Sequence, residues 1–182
     1  MKNILLTSTG FENKNIESKF LELLDKNVAE SKVLFIITAA IDIEAVQILS
    51  KCAYDLLNCG IKKENIIVYN MHKPITPEEL EKIDAIYVCG GNTKYLVERM
   101  NESNFKQNID KFISDGGIYI GVSAGSVSVS GKYENNLGFI KNKIDVHCEK
   151  GSTNGKIVSG EDIYLTDNQA IYINDDEMII FE

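Results

Sequence analysis

The chain has 182 residues, 44% of them apolar and 25% charged, the length and balance of one soluble globular domain spanning 1–182. Asp and Glu outnumber Lys and Arg 27 to 19, for a formal charge of −8. That argues against a nucleic-acid or anionic-membrane partner, since both need clustered basic residues.

In chain order, Asn3 to Leu6 reads as a short strand running into the polar turn Thr7-Ser8-Thr9-Gly10. Ile16, Phe20, Leu23, Leu24 and Val28 recur at helical spacing and predict a helix over 14–29. Val33 to Ile37 is a continuous apolar run of strand length, as in a strand buried on both faces. Ala45 to Leu57 carries a second helical pattern, stopped by Gly60. Ile66 to Tyr69 is a third strand, and Thr76-Pro77-Glu78-Glu79 is a capping box that starts a short helix. Ala85 to Cys89 is a fourth strand, leading into Gly90-Gly91-Asn92-Thr93 and a helix through Leu96, Val97 and Met100. Phe105, Ile109, Phe112 and Ile113 mark another helix, closed by Gly116-Gly117. Ile118 to Gly121 is a fifth strand, leading into Val122-Ser123-Ala124-Gly125. Alternating strands and helices predict a three-layer α/β sandwich with a mostly parallel central sheet. After Ser130, strands are expected at Val158, Ile163–Leu165, Ala170–Ile173 and Met178–Phe181, with a hairpin turn at Asn174-Asp175-Asp176. These add antiparallel strands to one edge of the sheet.

No apolar run approaches the ~18 residues of a membrane span, and Ile4-Leu5-Leu6 is too short for a secretory signal. Cys52, Cys59, Cys89 and Cys148 form no CxxC pair, so a zinc ribbon or thioredoxin-type motif is not expected. The expectation is a cytoplasmic protein.

The chemistry concentrates in Gly121-Val122-Ser123-Ala124-Gly125. An apolar strand running into G-x-S-x-G and then a helix is the nucleophile-elbow pattern, which exposes the serine hydroxyl at the end of a sheet. The N–H of Ala124 is one natural oxyanion donor. The Gly90-Gly91 turn also leaves a buried strand and opens a helix, so it can line the same crevice and supply a second donor. A serine nucleophile needs a base, and the chain offers His72 and His147. His72, before Pro74 in a loop, reads as a surface residue, so His147 is the expected base. For the acid that orients it, Glu134 is the first choice, with Asp145 and Asp167 as alternatives. Asp145 is two residues from His147, ~6–7 Å along a strand, so contact would need a bend.

Taken together, these residues resemble the dipeptidase E-like (aspartyl dipeptidase) serine peptidases, which share the class I glutamine amidotransferase-like fold. The matches are Leu5-Leu6-Thr7-Ser8, Gly90-Gly91-Asn92-Thr93, Gly121-Val122-Ser123-Ala124-Gly125, His147 and Leu165-Thr166-Asp167-Asn168-Gln169-Ala170. The resemblance implies Ser123 as nucleophile, His147 as base, an acid downstream of the serine where Glu134 fits best, and an oxyanion hole from the Gly90-Gly91 turn and Ala124, with Asn92 beside it. It implies hydrolysis of short peptides, with N-terminal aspartate preferred in the best-known members, by a monomer or homodimer without a metal or organic cofactor. A non-catalytic anion-binding module on the same fold is the competing function.

Overall fold

The computed structural model describes residues 2–103, 105–175 and 177–182. Five strands form the parallel part of the sheet: β1 (Asn3–Thr7), β2 (Val33–Ile36), β3 (Ile66–Tyr69), β4 (Ala85–Val88) and β5 (Ile118–Val122). They lie in the order β3-β2-β4-β5-β1, each parallel to its neighbour. The sheet continues beyond β1 with β9 (Ala170–Ile173), β10 (Met178–Phe181) and β7 (Gly155–Lys156), all antiparallel to their neighbours. The expected antiparallel extension is therefore present at the β1 edge.

Alternation along each strand divides the side chains between two cores. Ile4 and Leu6 of β1, Ile86 and Val88 of β4 and Tyr119 of β5 face one side. There they pack with α3 (Pro77–Leu80), α4 (Thr93–Glu102), α5 (Phe105–Ser114) and Ala124 of α6 (Ala124–Val127). Leu5, Tyr87, Ile120 and Val122 face the other side, against Ile16 and Phe20 of α1 (Lys14–Leu23) and Cys52 and Leu56 of α2 (Ile43–Asn58). Both faces being covered explains why these strands read as unbroken apolar runs. Burial of such a side chain contributes about 1.5–3 kcal/mol.

The helix predicted over 14–29 ends at Leu23. Leu24 is extended, and Asn27 starts a separate 3-10 turn by accepting the Ala29 N–H. The polar segment Asp25-Lys26-Asn27 breaks the helix, while Val28 still packs against the core. Val158 lies in no strand and is exposed. Asp176 of the expected hairpin turn lies outside the described residues. β6 (Ile144–Asp145) and β8 (Ile163–Tyr164) form a separate two-stranded parallel ribbon. No described helix is long and apolar enough to cross a membrane.

Candidate active site

The two glycine turns share one end of the sheet because β4 and β5 are parallel neighbours. Ser123 sits between β5 and α6 with φ 48° and ψ −107°, a conformation that L-residues seldom adopt. The surroundings enforce it. A Cβ on Gly121 would lie 2.7 Å from the backbone of Gly125, and one on Gly125 would lie 2.3 Å from the Val88 carbonyl oxygen. Only glycine permits this approach of β5, α6 and β4. Below the turn, the buried Ser126 hydroxyl lies within hydrogen-bond reach of the Thr7 and Gly121 carbonyls, at 2.7 and 2.8 Å, and accepts the Thr7 N–H. The Ser123 N–H donates to the Thr7 carbonyl at 3.0 Å.

Gly90 is packed against the serine: a Cβ there would lie 3.1 Å from Ser123 Cβ. Gly91 has φ 132° and no room for a side chain beside the Ala39 carbonyl. Among the described residues, the N–H groups of Gly91 and Ala124 have no hydrogen-bond partner. Asn92 is the N-cap of α4, where its side-chain oxygen accepts the Tyr95 N–H at 2.9 Å and its own N–H donates to Ala39.

His147 reaches Ser123. Its Nε2 lies 3.0 Å from Ser123 Oγ, and its Nδ1 lies 2.8 Å from Asp167 Oδ1. The ribbon of β6 and β8 creates the second contact. The Leu165 N–H donates to the Asp145 carbonyl, and the Cys148 N–H to the Leu165 carbonyl, which places the residues after each strand side by side. His147 adopts φ 58°, so the chain turns there and the imidazole points back to the sheet. Thr9 Oγ1 donates to the Asp167 carbonyl at 2.9 Å, and Ser8 Oγ donates to Asp167 Oδ1 at the same distance. Burial pushes the Asp167 carboxyl up, but the hydrogen bonds from His147 and Ser8 outweigh it and hold the group below its ordinary value. As an ionised carboxylate it has no proton to give, so Nδ1 carries the hydrogen and Nε2 is free to accept from Ser123.

The carboxylate beside His147 is therefore Asp167, not Glu134. Glu134 is exposed in the loop after α6 and forms none of the hydrogen bonds of this site. Asp145 pairs instead with Lys132. His72 is exposed in the loop after β3, away from the Ser123–His147 pair. Arg99, the one arginine, donates to the Met71 carbonyl and pairs with Glu102, so its charge is engaged away from Ser123. Ser8 is the residue that the sequence reading left without a role. Its place at the C-terminal end of β1, in the same crevice as the two turns, was the available signal.

Residues 4–146 match the sequence model of peptidase family S51. The matched stretch includes both glycine turns and Ser123 and ends one residue before His147. Two uncharacterized peptidases, of Listeria monocytogenes and Listeria innocua, are each 32% identical over 130 residues, 71% of this chain. The match spans only 62% and 60% of those relatives' lengths. Among solved structures, a Listeria monocytogenes protein described as a peptidase E aligns over 100% of this chain and 98% of its own, with a TM-score of 0.78 at 22% identity. A peptidase from an acI-B1 actinobacterium aligns over 100% of this chain and 87% of its own, with a TM-score of 0.68 at 15% identity. At those identities, the structural likeness establishes the fold.

Proposed function

The chain belongs to peptidase family S51, and from that premise we propose that it is a serine peptidase cleaving short peptides, with Ser123 as nucleophile, His147 as general base and Asp167 as the acid that orients the base. The observation that carries this reading is the unbroken relay from Asp167 Oδ1 through His147 to Ser123 Oγ, at 2.8 and 3.0 Å, on a strained elbow. The order of roles follows from the protonation argument. Nε2 removes the Ser123 proton as Oγ attacks the peptide carbonyl carbon. The resulting oxyanion is received by the N–H groups of Gly91 and Ala124. His147 passes the proton to the leaving amine, the C–N bond breaks and an acyl-serine remains. Water, deprotonated by His147, then attacks the ester carbonyl, and Ser123 Oγ leaves with that proton, freeing the carboxylic acid.

Gly90 leaves Ser123 close-packed with little room for a side chain, and the exposed Asn92 amide is available to the substrate. The exopeptidase character and a preference for N-terminal aspartate come from the family resemblance. The engaged state of Arg99 favours a broader choice of first residue. The test is incubation with a library of dipeptides and tripeptides, including Asp-initiated ones, followed by mass spectrometry of the products. Cleavage that disappears in Ser123→Ala and persists in His72→Ala is the expected result. A library left intact by the unmodified protein contradicts the reading.

A further inference from the structure

Ser8 lies at the centre of the contacts that join the two halves of the site, and we propose that it is a positioning residue that fixes His147 and Asp167 to the strand register holding Ser123. The inference rests on the serine-peptidase reading for its kinetic consequence, but its geometry stands by itself. Ser8 is completely buried, and its hydroxyl makes three contacts. Oγ lies 2.9 Å from Asp167 Oδ1, 2.8 Å from the His147 backbone nitrogen and 3.3 Å from His147 Nδ1.

A hydroxyl has one proton and two acceptor sites. The His147 backbone can only donate, so it occupies one acceptor site. The ionised Asp167 can only accept, so it takes the Ser8 proton. Nothing remains to donate to Nδ1, which must bring its own hydrogen and direct it between Asp167 Oδ1 and Ser8 Oγ. Were the Ser8 proton given to Nδ1 instead, the imidazole hydrogen would sit on Nε2, facing Ser123, and the ring could not accept the nucleophile's proton. Ser8 thus supports the tautomer that a base requires.

The position along the chain adds a second consequence. Thr7 and Ser8 are consecutive. The Thr7 carbonyl holds the Ser123 N–H, and the Ser8 hydroxyl holds the His147 N–H. Adjacent residues of one strand end therefore fix the nucleophile and the base to the same frame. The His147 contact also secures a residue in the left-handed region, which a non-glycine residue seldom adopts. The base and acid are otherwise attached through a ribbon of two-residue strands and are half exposed. Ser8 is the buried anchor of that attachment.

The experiment compares the full chain with Ser8→Ala, which removes the hydroxyl, and with Ser8→Cys, whose larger thiol forms only weak hydrogen bonds. Two readouts are used: peptide hydrolysis, and the downfield Nδ1 proton resonance of His147, identified by its absence in His147→Ala. Loss of a hydrogen bond to a charged group predicts a fall in kcat of about 10- to 100-fold in both variants. KM should stay nearly constant, and the Nδ1 proton resonance should broaden or move. A Ser8→Cys variant with parental kcat and resonance overturns the proposal. So does a fall in kcat with the resonance unchanged, because the hydroxyl would then act by some other route. If the unmodified protein cleaves no peptide, the serine-peptidase reading fails, and the resonance comparison still decides the role of Ser8: a change upholds it and no change overturns it.

Discussion

Ser123 and His147 meet at 3.0 Å, yet they are held by different means. The serine belongs to the sheet. Its strand lies inside the parallel ladder, its neighbours are completely or almost completely buried, and Gly121 and Gly125 bring backbone within contact of backbone around it. The histidine and Asp167 follow the two-residue strands of a ribbon, with side chains 50% and 55% exposed. Packing fixes the first region, whereas a small set of hydrogen bonds with Ser8 and Thr9 fixes the second. The nucleophile side should therefore respond to changes of volume as loss of stability. The base side should respond to changes of hydrogen bonding as loss of rate. Each of the following measurements sets one side against the other.

The largest effect is expected on the ribbon. Asp167→Asn removes the charge that orients His147 and can leave the wrong tautomer, so kcat should fall about 10⁴-fold with little change in KM. Glu134→Gln should keep near-parental kcat, since the exposed Glu134 forms none of the bonds of the site. Steady-state kinetics on a peptide from the library checks both, and the reverse pattern would return the acid to Glu134.

On the sheet side, Gly125→Ala forces a methyl group to within 2.3 Å of the Val88 carbonyl. Overpacking of this kind costs about 1–3 kcal/mol, which should appear as a lower denaturation midpoint. Asp167→Asn, at a half-exposed position, gives up only the contribution of its hydrogen bonds and should lower that midpoint less. Equal midpoints for Gly125→Ala and the parent would remove the packing argument for the elbow.

Acid sharpens the comparison further. Because the Asp167 carboxyl is lowered on folding, its contribution to stability is present above the unfolded value of about 3.9 and is lost as pH falls through the lower folded value. Carbon-13 NMR of the carboxyl should therefore show a midpoint below that of a free aspartate. Ser8→Ala should raise the midpoint by removing one hydrogen bond to the charged form. A parent midpoint at or above the free value would mean that the hydrogen bonds of the ribbon do not persist in solution.

The smallest effect concerns the thiols. Cys52, Cys59 and Cys89 are buried, and burial pushes the Cys59 thiol up to about 11. Cys148, beside His147, is partly exposed. A thiol reagent should label Cys148 first in the native protein and reach the other three only on unfolding. Early labelling of Cys52 or Cys89 would show that the sheet side opens more readily than its packing implies.

The same contrast explains what could be read from the sequence. The turn at Ser123 was legible because its conformation depends on local constraints: Gly121 and Gly125 leave no room for a side chain, and apolar strands lead into both turns. His147 was legible because the chain has only two histidines. Asp167 ranks behind Glu134 in the sequence because a turn-like Thr-Asp-Asn segment gives no local sign of the ribbon that places it beside His147. Two-residue strands carry no periodicity to detect. Ser8 was hidden for a related reason, since its role depends on partners 139 and 159 positions away. The helix over 14–29 shows the opposite case, a periodicity longer than the helix it marks. Apolar spacing continued through Val28 although Asp25-Lys26-Asn27 had already ended the helix.

In the proposed mechanism His147, oriented by Asp167, activates Ser123. Its most direct test is the rate of covalent labelling by a fluorophosphonate, with the modified residue located by mass spectrometry, because this requires no knowledge of the natural substrate. Labelling is expected at Ser123 in the parent, at a rate reduced by about 10³-fold or more in His147→Ala and at the parental rate in His72→Ala. Labelling at another serine, or labelling of Ser123 at the parental rate in His147→Ala, would contradict it.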